Sequence, residues 1–126
     1  MEKLQLNETP KTPAVNFDDS LGLIELKGRS IPEDPNLFYD PLISWVSNYC
    51  NQPSNKTTVN LNLEYFNTSS SKRILELLKN LEPLKIAKHE IIINWYYESD
   101  DDNMLEAGET YESMLKIPFN KIETDR

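Results

Sequence analysis

The stretch that decides the fold is Thr58–Tyr65, which reads TVNLNLEY and alternates apolar with polar side chains. The apolar side carries Val59, Leu61, Leu63 and Tyr65, and the polar side carries Asn60, Asn62 and Glu64. Because successive side chains of a strand point to opposite faces, this pattern predicts a β-strand with one buried and one wet face. A sheet with such a strand near its middle carries its helices mainly on the buried, apolar face.

A helix is predicted within a few residues of this strand. Apolar residues recur at helical spacing at Ile74, Leu77, Leu78 and Leu81. This spacing puts them on one face of a helix that runs toward Glu82. Pro83 then ends or kinks the helix, because a proline inside a helix removes a backbone hydrogen bond.

The segment Glu90–Glu98, EIIINWYYE, is rich in β-branched and aromatic residues and is the strongest strand prediction in the chain. We expect it to lie centrally in the sheet, with Trp95 in the core and Tyr96 exposed on the opposite face. A third helical pattern covers Leu105–Leu115, and Ile117–Ile122 adds a final short strand.

Three short extended segments are predicted before the first helix. They are Leu4–Asn7, Ala14–Phe17 and Leu23–Lys27. The turn residues Asp18-Asp19-Ser20 make the last two a hairpin. Pro10 and Pro13 interrupt the first two, which confines that region to a sheet edge or a covering loop.

The first helix begins at one of two Asp-Pro pairs, Asp34-Pro35 or Asp40-Pro41, and runs to about Cys50. Its apolar residues at helical spacing include Trp45, a second core anchor. Either Pro35 opens the helix and Pro41 kinks it, or the helix begins only at Pro41.

The predicted order is therefore β-β-β-α-β-α-β-α-β within a single domain spanning residues 1–126. Strands that alternate with helices imply parallel crossovers, so we expect an α/β fold: an open mixed sheet with helices mainly on one face. This order resembles the STAS-like fold of sulfate transporters and anti-sigma-factor antagonists. In that fold a phosphoacceptor hydroxyl lies at the connection between the central strand and the second helix.

Charge and composition narrow the class of partner. The net charge is −8 and the pI is near 4.6. Nucleic acid and anionic membranes require clustered basic residues, so protein partners are expected. The single cysteine, Cys50, forms no internal disulfide and is interpreted as structural, and no apolar run is long enough for a signal peptide or membrane span. These features predict a cytoplasmic protein. His89 is the only histidine, so a metal site built from two imidazoles is excluded within one chain. No cofactor is expected.

The segment Asn67-Thr68-Ser69-Ser70-Ser71 offers five residues able to cap a helix, although a helix needs only one N-cap. From this pattern alone, a generous cap whose other hydroxyls face water is the commoner explanation. A helix start also presents free N–H groups and the positive end of the dipole, which stabilise a phosphate. Lys72 and Arg73 follow directly, so phosphorylation is chemically compatible with this position.

Two features of the sequence suggest enzymatic alternatives. The acidic segment Glu98–Asp102 has carboxylates for a metal, but its spacing fits no calcium loop, and a cap for the third helix is favoured. Ser69 and Lys72 match Ser-x-x-Lys by spacing, which suggests a small hydrolase with a Ser/Thr nucleophile, but its companion motifs are missing. A constitutive interaction scaffold is a third possibility.

A closer resemblance covers nearly the whole chain. The residues that carry it are Gly28-Arg29-Ser30-Ile31-Pro32-Glu33, Leu63–Lys72 (LEYFNTSSSK), Asn94–Glu98 (NWYYE) and Met104–Glu109 (MLEAGE). On these motifs the sequence resembles the SiaC family of bacterial regulatory phosphoproteins.

The resemblance implies a non-enzymatic regulator with Thr68 as phosphoacceptor, and Ser69 and Ser70 as second-rank candidates. It also implies three protein partners: a dedicated protein kinase, a PP2C-type phosphatase and a diguanylate cyclase. The unphosphorylated form would activate the cyclase and so control cyclic di-GMP, aggregation and biofilm formation. The expected partner-binding residues are Asn67, Thr68, Ser69, Ser70, Lys72, Arg73 and Tyr96.

Overall fold

The computed structural model describes residues 2–125, so Met1 and Arg126, the two ends of the predicted domain, lie outside the described residues. The strands are β1 (Leu4–Leu6), β2 (Ala14–Asp18), β3 (Leu23–Ser30), β4 (Lys56–Phe66), β5 (Glu90–Glu98) and β6 (Phe119–Thr124). The helices are α1 (Pro35–Tyr49), α2 (Thr68–Lys79), the short α3 (Glu82–Ile86) and α4 (Asp102–Met114).

The six strands form one mixed sheet in the order β1-β2-β3-β4-β5-β6. β1, β2 and β3 are antiparallel neighbours, and β3, β4, β5 and β6 are parallel neighbours. The predicted mixed α/β sheet and the β2–β3 hairpin are therefore confirmed. β1 lies at the sheet edge, and Pro10 and Pro13 fall in the loop that joins it to β2, as expected for residues that cannot donate to a strand ladder.

The core lies between the sheet and its helices. In β4 the buried side chains are Thr57, Val59, Leu61 and Leu63, and the residues between them are only partly buried. The apolar faces of α1 and α2 join the same core, and so does Trp95 of β5. Trp45 and Trp95 are core anchors as predicted, with exposed fractions of 8% and 1%.

A row of polar side chains crosses the other face of the sheet, with one residue from each strand in register. The row consists of Gln5, Asn16, Glu25, Asn60, Asn94 and Asn120. Asn120 donates its amide to Asn94 (3.3 Å), and Asn94 donates to Asn60 (2.9 Å). Asn60 in turn donates to the Glu25 carboxylate (3.1 Å). The polar face predicted from β4 thus extends across the sheet, and its side chains satisfy one another laterally.

The structure decides where α1 begins and where α2 ends. α1 begins at Pro35, where the Asp34 carboxylate accepts from the backbone N–H of Leu37 (3.1 Å), and Pro41 lies inside the helix. The second helix was expected to run toward Glu82 but ends at Lys79. Pro83 instead lies in the first turn of α3, a position where a missing N–H costs nothing. The separate helix α3 was not predicted.

The strand and helix bounds differ from the expectations mainly at their ends. β5 is an inner strand but not a central one, because only β6 lies beyond it. α4 begins at Asp102, three residues before the predicted Leu105, because its cap belongs to the acidic segment. β6 begins at Phe119 rather than Ile117. α1 is the longest helix, and no helix between residues 2 and 125 is long and apolar enough to cross a membrane.

Gly108 of α4 lies directly against Trp95, and a Cβ placed there would be 2.5 Å from the ring atom Cδ1. The indole is held in place because its Nε1 donates to the Met104 carbonyl (2.9 Å). Gly108→Ala should therefore lower the free energy of unfolding, by a net amount of about 1–2 kcal/mol, although alanine is intrinsically the better helix former by about 1 kcal/mol.

Urea unfolding followed by circular dichroism measures this effect. Glu109→Ala, at the exposed neighbouring position, is the control and should change stability little. Equal stability of Gly108→Ala and the wild type would contradict the packing argument.

Candidate functional site at the start of helix α2

The start of α2 lies where β4 ends, beside the end of its parallel neighbour β3. Asn67 is the N-cap, and its side-chain oxygen accepts from the backbone N–H of Ser70 (3.0 Å). The backbone N–H of Asn67 donates to the Ser30 carbonyl at the end of β3 (3.2 Å). The first turn of α2 is therefore tied to the sheet through both its cap and its backbone.

The four hydroxyl residues of this turn divide into an outer and an inner pair. Thr68 and Ser69 are exposed, Ser70 is fully buried and Ser71 is partly buried. Residues in the first turn of a helix face in different directions, so a run that looks uniform in sequence has two distinct environments. Thr68 and Ser69 are the two exposed residues of the run.

The inner hydroxyls are held by two tyrosines from neighbouring helices. Ser30 donates to Ser70 (2.9 Å), so the Tyr39 hydroxyl must donate to Ser30, and Ser70 donates to the Ser30 carbonyl (3.0 Å). On the other side, Tyr111 donates to the Ser71 carbonyl (2.7 Å) and its oxygen lies 2.7 Å from the Ser71 hydroxyl. Burial raises the pKa of Tyr39 to about 12 and also raises the pKa of Tyr111, so both remain protonated donors near neutral pH.

A depression of about 450 Å³ lies beside the outer hydroxyls. It is lined by Pro35, Asn36, Thr68, Ser69, Lys72 and Arg73. Two helix starts, those of α1 and α2, therefore border the same depression. The start of α2 contributes backbone N–H groups and the positive end of its dipole, whereas Pro35 at the start of α1 has no N–H and the Leu37 N–H is bound by Asp34. The α2 side of the depression is therefore suited to an anionic group.

The basic residues at this depression differ in availability. Arg73 is bound to Asp40 of α1 and to Glu76 of its own helix (2.9 Å) and is only 18% exposed. Lys72 is exposed, and it follows Thr68 by four residues, one helical turn further along. Lys72 is thus the cation best placed to meet a charge added at Thr68.

The structure brings together most of the residues predicted for the site. Asn67, Thr68, Ser69, Lys72 and Arg73 lie at one place on the surface, and Ser70 lies beneath them. Tyr96 does not join them, because it lies on the polar face of the sheet, paired with Ile122 and only partly exposed. Its predicted role in partner binding stays a prediction about a separate surface.

Several residues of the site were missed in the sequence. They are Pro35 and Asn36 at the rim, and Ser30, Tyr39 and Tyr111 beneath it. Ser30 belongs to one of the motifs quoted above, but nothing in the local sequence pairs it with Ser70, forty residues further on.

The enzymatic alternatives gain no support from the geometry. Ser69 donates to the Asn67 carboxamide (3.4 Å), which cannot take up a proton as a general base would. Asp101 caps α4 by accepting from the Met104 N–H (3.0 Å), which confirms the favoured role of the acidic segment. Among residues 2–125 no group of three or more His, Cys, Asp or Glu side chains is arranged to hold a metal ion.

The one cysteine lies away from this site. Cys50 is partly buried beside the end of α2 and donates to the Asn80 carbonyl (3.3 Å). Burial raises the pKa of its thiol, which lowers the reactive thiolate fraction. The structural interpretation of Cys50 agrees with these contacts.

Fold and site together define a small α/β protein that presents an anion-compatible, hydroxyl-bearing helix start on its surface. A protein-family model described as the SiaC family regulatory phosphoprotein matches residues 6–124. The chain therefore belongs to the SiaC family of regulatory phosphoproteins, as its motifs indicated.

Similar proteins come from Pseudomonas aeruginosa. An uncharacterized protein of strain UCBPP-PA14 is 27% identical over 119 residues, or 94% of each chain. The crystal structure of apo-SiaC matches with a TM-score of 0.87 at 28% identity, over 97% of this chain and 99% of that one. A chain in the crystal structure of the diguanylate cyclase SiaD in complex with its activator SiaC matches with a TM-score of 0.90 at 26% identity, over 96% and 99% of the two chains.

The buried tyrosine beneath the site predicts a specific dependence of stability on pH. The folded pKa of Tyr39 is raised to about 12 from an unfolded value near 10. A raised folded pKa contributes stability that is fully present below pH 10 and is lost as pH rises through 12. The two-unit shift corresponds to roughly 2–3 kcal/mol.

Urea unfolding at pH 9, 10 and 11 should therefore give a smaller loss of stability with pH in Tyr39→Phe than in the wild type. Identical slopes for the two proteins would contradict the raised pKa. Because the two proteins are compared at each pH, other groups that titrate in this range contribute equally to both.

Proposed function

We propose that this protein is a non-enzymatic switch whose phosphoacceptor is Thr68, controlled by a protein kinase and reversed by a PP2C-type phosphatase. Its unphosphorylated form binds and activates a diguanylate cyclase in the cytoplasm, and so controls cyclic di-GMP, aggregation and biofilm formation. The observation that carries the proposal is the division of the hydroxyl run, which leaves Thr68 exposed beside the depression while Ser70 is fully buried.

Accessibility favours Thr68 over the other hydroxyls. A kinase reaches Ser70 only if the first turn of α2 opens, because its side chain has no exposed surface. Ser69 is exposed but donates to the cap residue Asn67, whereas the Thr68 hydroxyl has no hydrogen-bond partner within residues 2–125. Thr68 is thus the hydroxyl that a partner reaches at the lowest cost.

The electrostatic setting supports a phosphate at this position. A phosphothreonine carries a charge of about −1.5 to −2 at pH 7 and three acceptor oxygens. The Asn67 side chain accepts from the backbone N–H of Ser70. The backbone N–H groups of Thr68 and Ser69 are therefore the donors that a phosphate could use. Two acidic residues of this region are already paired: Asp40 with Arg73, and Glu64 with Arg29 at 3.9 Å.

The family and a solved complex support the downstream half of the proposal. The family is described as regulatory, and SiaC of Pseudomonas aeruginosa is described as the activator of the diguanylate cyclase SiaD. A partner that covers the depression would have to desolvate a phosphate dianion that is offset only by the exposed Lys72, which is costly. Phosphorylation therefore weakens docking without refolding the domain.

Phosphorylation of Thr68 can be tested directly with a cognate kinase and ATP. Intact-mass analysis should show one added phosphate on the wild type and on Ser69→Ala, and none on Thr68→Ala. Incorporation into Thr68→Ala would contradict the site assignment.

The effect of a charge at Thr68 on partner binding can be tested separately. Calorimetric titration with the cyclase should show binding at least about tenfold weaker for Thr68→Asp than for the uncharged, similarly shaped Thr68→Asn. Equal affinities would indicate a constitutive scaffold.

The role of Lys72 can be tested on the phosphorylated protein. Phosphorus NMR titration gives the second pKa of the phosphate, ordinarily about 6. An exposed ion pair is worth about 0.2–1 kcal/mol, so Lys72→Gln should raise this pKa by a few tenths of a unit. Lys79→Gln, in the last turn of the same helix, is the matched control and should leave it unchanged. Equal titration of the two variants would exclude a Lys72–phosphate contact.

A further inference from the structure

The first turn of α2 is held from both flanking helices by hydroxyl groups that the proposed switch does not itself use. Tyr39 of α1 reaches Ser70 through Ser30 of β3, and Tyr111 of α4 contacts Ser71. Tyr39, Ser30 and Ser70 have no exposed surface, and Tyr111 is 5% exposed. Three elements that are distant in sequence, α1, β3 and α4, therefore converge on two adjacent serines of α2.

This network is satisfied and directional. Tyr39 donates to Ser30, Ser30 donates to Ser70, and Ser70 donates back to the Ser30 carbonyl. The same carbonyl accepts from the N–H of the cap residue Asn67 (3.2 Å). A buried hydroxyl that loses its partner pays for desolvation without compensation, so the serines are strongly disfavoured in any orientation other than inward.

Helix ends ordinarily open first, because they have few packed contacts and unpaired backbone groups. Here the first turn carries the cluster of hydroxyls, all of the same chemical type and within four residues. A kinase acting on an open turn would meet Thr68, Ser69, Ser70 and Ser71 alike. A difference in accessibility among them exists only while the turn is folded.

We propose that Tyr39, acting through Ser30, and Tyr111, in direct contact with Ser71, are positioning residues that keep the first turn of α2 closed and thereby restrict modification to the exposed outer pair, of which Thr68 is the proposed acceptor. They touch neither the phosphate nor the partner, and they act by removing Ser70 and Ser71 from the set of accessible hydroxyls. The claim that closure restricts phosphorylation rests on the proposed function. The claim that the two tyrosines keep the turn closed does not depend on it.

The test is the double variant Tyr39→Phe/Tyr111→Phe, which deletes two hydroxyls and leaves the rings in the core. Hydrogen exchange of the Ser70 and Ser71 amides should accelerate by at least about fivefold, the change expected for a lost buried hydrogen bond. Tyr49→Phe is the matched control. Tyr49 is equally buried in α1, and its hydroxyl lies 2.7 Å from that of Thr57 at the other end of the sheet.

Tandem mass spectrometry then locates the phosphate. Its position would not change if the tyrosines contributed only to stability. After kinase treatment, phosphate should remain on Thr68 in Tyr49→Phe and spread to Ser70 and Ser71 in the double variant. Exchange no faster than in Tyr49→Phe, or faster exchange with phosphate still confined to Thr68, would overturn the inference. A wild type that takes no phosphate would refute the proposed function instead, and the exchange experiment would still decide whether the tyrosines close the turn.

Discussion

One-sided burial of the sheet is the constraint on which the rest of this structure depends. Alternate side chains of β4 enter the core against the helices, while the side chains between them face the polar side. Parallel strands connected through helices on one face bring the strand ends and helix starts to a common edge. The ends of β3 and β4 and the starts of α1 and α2 meet there, so the candidate site follows from the layer arrangement.

The same constraint explains how the polar face stays in register without an apolar cover. A slip of one residue in any parallel strand would move its core residues into solvent and break the row that links Glu25 to Asn60 and Asn94. Burial and lateral hydrogen bonding therefore favour the same pairing. The outcome is a well-packed, laterally hydrogen-bonded sheet, at the end of which the first turn of α2 begins.

Burial and hydrogen bonding beneath the site, with exposure above it, suit a local switch. The inner serines are bound to the end of β3 and to Tyr111, while the outer pair borders a depression shared by two helix starts. A charge added on the outside of such a turn changes the surface that a partner meets, and the hydrogen bonds beneath it remain. Regulation of this kind needs no alternative fold and no catalytic group of its own.

The sequence by itself determined the type and order of the main elements, because the alternation in β4 and the helical spacing in α2 reflect burial of one face. It also identified the hydroxyl run, and resemblance pointed to Thr68. The positions of Pro41 and Pro83 were decided by the tertiary structure, since a proline is tolerated either in the first turn of a helix or within one whose other contacts compensate. The division of the run into outer and inner hydroxyls was also decided there. It depends on Ser30, Tyr39 and Tyr111, which approach Ser70 and Ser71 only once the sheet and helices have packed, and no local pattern encodes contacts between residues so far apart in the chain.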